Sequence, residues 1–87
     1  MGAKALTARR QRRSVERVAD MTVGQRIKLL REARGLTQEG LARVLEMSSS
    51  QVSRWERGRD DPGAESIRAL CRVLAARYED LLGPVAG

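Results

Sequence analysis

The chain has no histidine and no phenylalanine, and only one cysteine, one tryptophan and one tyrosine among its 87 residues. Without His, neither Cys/His zinc sites nor His-dependent catalytic triads can be assembled. A lone Cys71 closes no intrachain disulfide. So few aromatic rings leave no stacking surface of the kind that grips single-stranded RNA or DNA. There is no nucleotide-binding glycine pattern and no placed pair of carboxylates, so no enzymatic reaction, cofactor or metal is expected. No apolar run approaches the ~20 residues that cross a bilayer, and the N-terminus lacks a signal-peptide core. Met1-Gly2 would suit myristoylation, but Leu6 stands where that motif needs Ser or Thr. A cytoplasmic location with no membrane partner is the expectation.

What the chain does have is arginine. Seventeen basic residues face eleven acidic ones, for a net charge of +6. Fifteen of the seventeen are Arg, and the pI is near 11.0. A small, Arg-rich chain with almost no aromatic residues points to a phosphate backbone as its partner. The charge is uneven: residues 1–20 carry six basic and two acidic residues, the remainder eleven and nine. The chain therefore reads as a basic arm, residues 1–21, flexible or partly helical, then a nearly balanced unit at 22–83 and a tail at 84–87.

From Thr22 onward the pattern is that of short amphipathic helices. Thr22-Val23-Gly24-Gln25 has the form of a capping box. Ile27, Leu30 and Arg34 then share one face, and Gly35 is placed to end the helix. Thr37 can cap a second helix carrying Leu41, Ala42 and Leu45. Ser48-Ser49-Ser50-Gln51 reads as another capping box, opening a third helix that buries Val52 and Trp55 and stops at Gly58. Asp60-Asp61-Pro62-Gly63 is loop chemistry. Ile67, Leu70, Cys71 and Leu74 form the apolar stripe of a fourth helix, with Cys71 a buried inert thiol. Leu81 and Leu82 mark a short fifth helix before Gly83-Pro84. No segment alternates with period two, so the fold class is all-α.

Residues 37–58 place two helices of about eight residues around a turn at Glu46-Met47, the form of a helix-turn-helix. With Val52 and Trp55 turned inward, Ser50, Ser53, Arg54 and Arg57 lie on the opposite face, with Ser49 beside them in the first turn. That face reads as polar, short-chained near its N-terminus and free of acid. Short Ser side chains let a helix approach base edges, and Arg54 can pair bidentately with the O6/N7 edge of guanine. Ser49, Ser50, Ser53 and Arg54 are the candidate base-reading set, whereas Arg57 and Arg59 are placed for phosphates. A solvated surface role for Arg54 is the plainer alternative.

The run Arg31-Glu32-Ala33-Arg34-Gly35-Leu36-Thr37-Gln38-Glu39, then Leu41-Ala42, then Val52-Ser53-Arg54-Trp55-Glu56-Arg57-Gly58, resembles the Cro/cI-like (XRE) helix-turn-helix family of phage and bacterial regulators. The resemblance extends from about Val23 to Leu82. It implies a compact five-helix domain that binds double-stranded DNA with its third helix in the major groove. It further implies that Glu56 pairs with Arg31, fixing the third helix to the scaffold, and that Gln38 hydrogen-bonds the DNA backbone. Arg9, Arg10, Arg12 and Arg13 suit an arm contacting DNA, or merely a solubilising tail. The expected protein is a repressor acting as a homodimer on a pseudo-palindromic operator. Its dimer contacts would come from Tyr78, Leu81, Leu82 and Val85 or from the arm. The alternative is an antitoxin or adaptor whose arm binds a partner protein while the same domain regulates its own operon.

Four positions depart from the family pattern. Gly40 stands where an acid usually completes a capping box, and Glu46 occupies a turn position where Gly is usual. Ala75 replaces a Gly, and Arg77 a capping Ser or Thr, so the fourth and fifth helices are expected to be less sharply separated.

Overall fold

The computed structural model describes residues 21–83. Over that span the chain forms five helices, with no strand among the described residues: α1 (Val23–Ala33), α2 (Gln38–Val44), α3 (Ser49–Glu56), α4 (Ala64–Leu74) and α5 (Tyr78–Leu82). The expected arm at 1–20, with Arg9, Arg10, Arg12 and Arg13, and the tail with Val85 lie outside the described residues.

The first three helices begin where the sequence supplies a side-chain cap, whereas α4 starts at Gly63 without one. The Thr22 hydroxyl accepts from the Gln25 N–H at 3.1 Å, and the Gln25 side chain accepts from the Thr22 N–H at 2.9 Å, a complete capping box for α1. Thr37 caps α2 through the Gly40 N–H at 2.9 Å. Ser48 caps α3 through the Gln51 N–H at 3.3 Å. The box expected there is only half formed, because the Gln51 amide turns away to Asp60. At α5, Arg77 provides no side-chain cap; the Asp80 carboxylate reaches back to the Arg77 N–H at 2.9 Å instead.

The first four helices end in the same way. Paired backbone bonds close the last turn, as in Leu36 N–H to Arg31 O and Gly35 N–H to Glu32 O after α1, and a residue one or two positions beyond the helix takes positive φ. That residue is Gly35 after α1 and Gly58 after α3, but Glu46 (φ 58°) after α2 and Ala75 (φ 52°) after α4. The left-handed backbone is therefore retained without glycine. The separation of α4 from α5 is sharp, contrary to the sequence expectation, because Ala75 adopts the turn regardless.

The core gathers Ile27, Leu41, Ala42, Val52, Trp55, Ile67, Leu70, Leu74 and Leu81, drawn from all five helices. Trp55 is a core residue. Cys71 is only half-buried at the edge of this cluster, rather than fully inside it. Burial, and then the charge of Asp80, push its thiol above the usual range, which disfavours the thiolate form. Arg34 is exposed rather than part of the packed face. Its guanidinium donates to the Leu74 carbonyl at 2.8 Å and the Ala75 carbonyl at 3.4 Å, capping the C-terminus of α4 from across the fold.

Candidate nucleic-acid interface

Helix α3 is held by its inner face. Val52 and Trp55 enter the core, and α2 and α1 both pack on the helix. At its C-terminal end Glu56 is buried in a network. Arg31 of α1 donates Nε to Glu56 Oε2 at 2.7 Å and Nη2 to Oε1 at 3.1 Å. The third donor of Arg31, Nη1, goes to the Leu36 carbonyl at 2.8 Å. Gln38 Nε2 completes the group at 3.0 Å from Glu56 Oε1. One carboxylate thereby ties α3 to both α1 and the first residue of α2. The hydrogen bond that Arg31 donates to Glu56 raises the Arg31 pKa above its ordinary value, against the opposing effect of burial, so the guanidinium stays charged.

Gly24 permits the close approach of α1 to this end of α3. A Cβ at that position would overlap the Trp55 carbonyl oxygen, so only hydrogen fits. By sequence alone Gly24 is an unremarkable member of a cap. Its one available signal is a glycine inside a helix, where it is normally disfavoured.

The outer face of α3 carries the remaining candidates. Ser50, Arg54, Arg57 and, just beyond the helix, Arg59 are exposed, and Ser49 and Ser53 are half-buried at its margin. Gln38 is half-buried beside them, its side-chain amide committed to Glu56. The face is not free of acid as the sequence suggests. The loop after α3 brings Asp60 onto it: Arg54 Nε lies 2.6 Å from Asp60 Oδ2 and Nη2 lies 3.3 Å from Oδ1. Gln51 Nε2 donates to the same Oδ2 at 3.3 Å. These contacts lower the Asp60 pKa, the Arg54 hydrogen bond first and the Gln51 bond second. Helical periodicity could not reveal this, because Asp60 arrives from a loop.

Chemically, the face presents hydroxyl donors and acceptors, one oriented guanidinium and two further exposed arginines. Among the described residues no group of three or more His, Cys, Asp or Glu is placed to hold a metal. Nor is any described helix long and apolar enough to cross a membrane.

Comparison with known proteins places this architecture. A family model described as a helix-turn-helix domain matches residues 22–82. The chain belongs to the Cro/cI-like helix-turn-helix family. Within that family, this Cro/cI-like chain is 40% identical over 55 residues to the transcriptional regulator DicA of Escherichia coli K12, covering 63% of this chain and 41% of DicA. It is 34% identical over 61 residues to the antitoxin PezA of Streptococcus pneumoniae, covering 70% of this chain and 39% of PezA. The chain thus spans about two-fifths of the length of these two relatives. Among solved structures, the P22 c2 repressor, crystallised with a synthetic operator, superposes with a TM-score of 0.68 at 28% identity. That match covers 72% of this chain and 96% of the P22 c2 chain.

Proposed function

We propose that this protein is a sequence-specific double-stranded DNA-binding transcriptional regulator, a repressor that places α3 in the major groove. The observation that carries this reading is the two-sidedness of α3. Its Val52, Trp55 and Glu56 side is built into the scaffold, and its Ser50 and Arg54 side is turned outward. A helix fixed so firmly can present donors to base edges at low entropic cost. Ser49, Ser50, Ser53 and Arg54 read bases; Arg57 and Arg59 hold phosphates. Gln38 also contributes a hydrogen bond to the DNA backbone, from the side-chain N–H that its one bond to Glu56 leaves over and from its backbone N–H at the start of α2. The residue 22–83 unit carries this activity, with residues 1–21 as a basic arm along the duplex and 84–87 as a tail.

A dimer on a pseudo-palindrome supplies the site length one such helix lacks, with half-sites about one turn, ~34–36 Å, apart. Tyr78 and Leu82 on α5 support such an interface, being exposed apolar side chains. Leu81, expected among the dimer contacts, is fully buried in the core and is not available to a partner.

The deciding experiment is selection of bound sites from random duplex DNA, followed by footprinting and amide chemical-shift mapping. The expected result is a two-fold symmetric site with shifts concentrated on residues 48–59; a silent α3 would overturn the reading. The relatedness to PezA, named an antitoxin, favours one second reading. In it, residues 1–20 bind a partner protein while the helical domain autoregulates its operon. An arm that becomes helical only with a tightly co-purifying partner would favour that alternative.

A further inference from the structure

We propose that Asp60 is a positioning residue for base readout, holding the Arg54 guanidinium so that its end-on pair of N–H donors faces outward to a guanine O6/N7 edge. The inference rests on the proposal that α3 enters the major groove. Its support is the geometry of the loop after α3. Arg54 meets Asp60 side-on, through Nε at 2.6 Å and Nη2 at 3.3 Å. A guanidinium has five N–H donors in a rigid plane. Side-on pairing takes the Nε–H and one Nη2–H. It leaves the other Nη2–H and both Nη1–H groups, and the end-on edge they form matches the two acceptors of guanine.

The carboxylate is itself fixed. Gln51 Nε2, one helical turn before Arg54, donates to Asp60 Oδ2 at 3.3 Å. The loop backbone is bonded to the helix end, with Arg59 N–H 2.9 Å and Asp60 N–H 3.4 Å from the Arg54 carbonyl. A flexible side chain, half exposed, is thus oriented before any duplex arrives. The acid also weakens the pull of a bare phosphate on Arg54. Both effects favour a geometrically matched base over a general anion.

The test uses the full chain, its best duplex selected from random DNA, a scrambled duplex of equal length, and selected duplexes carrying 7-deazaguanine at single guanines. Deazaguanine removes N7, so wild-type protein should lose affinity on the order of ten-fold at one guanine per half-site. Asp60→Ala should abolish most of that penalty. It should also lower the ratio of selected to scrambled affinity by on the order of ten-fold, while scrambled binding is retained or rises. Arg54→Ala added to Asp60→Ala should cost little more. An unchanged ratio in Asp60→Ala, or tighter binding to the selected duplex, overturns the proposal, the latter because it marks Asp60 as a competitor. If Arg54→Ala leaves the ratio unchanged, the base-reading role of Arg54 fails and the proposal with it. If Asp60→Ala alone does so, only the role of Asp60 fails. One measurement needs no variant: the Arg54 Nε–H resonance should be protected from exchange in the complex with the selected duplex, where the pair is covered. Rapid exchange in that complex overturns the proposal.

Discussion

Glu56 accepts three hydrogen bonds from two other helices while its side chain is only 3% exposed. Removing one partner of such a pair leaves the other charge buried and unpaired, which costs more than the pair itself contributes. Glu56→Ala is therefore expected to destabilise the fold by about 3 kcal/mol, read from chemical denaturation. A loss under ~1 kcal/mol would show that Arg31 finds water instead. The second acid of the interface behaves differently. Arg54 and Asp60 are both well exposed, so their pair adds little to stability. Its signature is titration. The folded Asp60 pKa lies below the ordinary 3.8, so whatever the pair contributes is full above that value and vanishes as pH falls through the lower folded one. Following the Asp60 side-chain carboxyl by NMR should give a midpoint under 3.8, returning toward it in Arg54→Ala. A midpoint at or above 3.8 in the wild type would dissolve the pair in solution.

At the scale of elements, helix ends decide the geometry. Glu46 and Ala75 hold left-handed backbone that costs an L residue ~1–2 kcal/mol relative to glycine. Replacing Ala75 with Gly should stabilise the domain by about 1 kcal/mol, raising the melting temperature by about 4–8 °C. A fall in melting temperature would show that the denatured-state entropy of glycine outweighs the relief. Packing of α1 on α3 sets the opposite limit at Gly24. Gly24→Ala must displace the Trp55 backbone and should cost about 3 kcal/mol in denaturation. Near-neutral behaviour would mean that α1 can slide along α3.

These elements also show what periodicity can and cannot carry. The apolar positions of α1 to α5 and the Thr22, Thr37 and Ser48 caps were legible because helical period and local hydrogen bonding are properties of adjacent residues. Arg34 capping α4, Gln51 turning from its cap, and Asp60 meeting Arg54 depend on how segments meet. No window of sequence contains that information. The ion pair of Arg31 with Glu56, 25 residues apart, was accessible only through family resemblance.

For the molecule as a whole, charge is partitioned rather than spread. Among the described residues eleven basic side chains stand against nine acidic ones, and three of the basic ones are answered directly, by Glu56 at Arg31, Asp60 at Arg54 and Glu79 at Arg77. Residues 1–20, with six basic residues against two acidic, hold most of the net charge of +6. If α3 supplies sequence preference and the arm supplies non-specific attraction, the two properties should separate on truncation. A chain starting at Met21 should keep the sequence ranking of the full protein. Its overall affinity should drop, and its plot of log affinity against log salt should flatten by about 0.9 for each phosphate that the arm would have neutralised. Titrations between about 50 and 200 mM salt resolve this. An unaltered slope would assign the arginines of the arm to solubility or a protein partner. A changed ranking would instead place the arm in base or groove-width recognition, because neutralising phosphates cannot by itself distinguish one sequence from another.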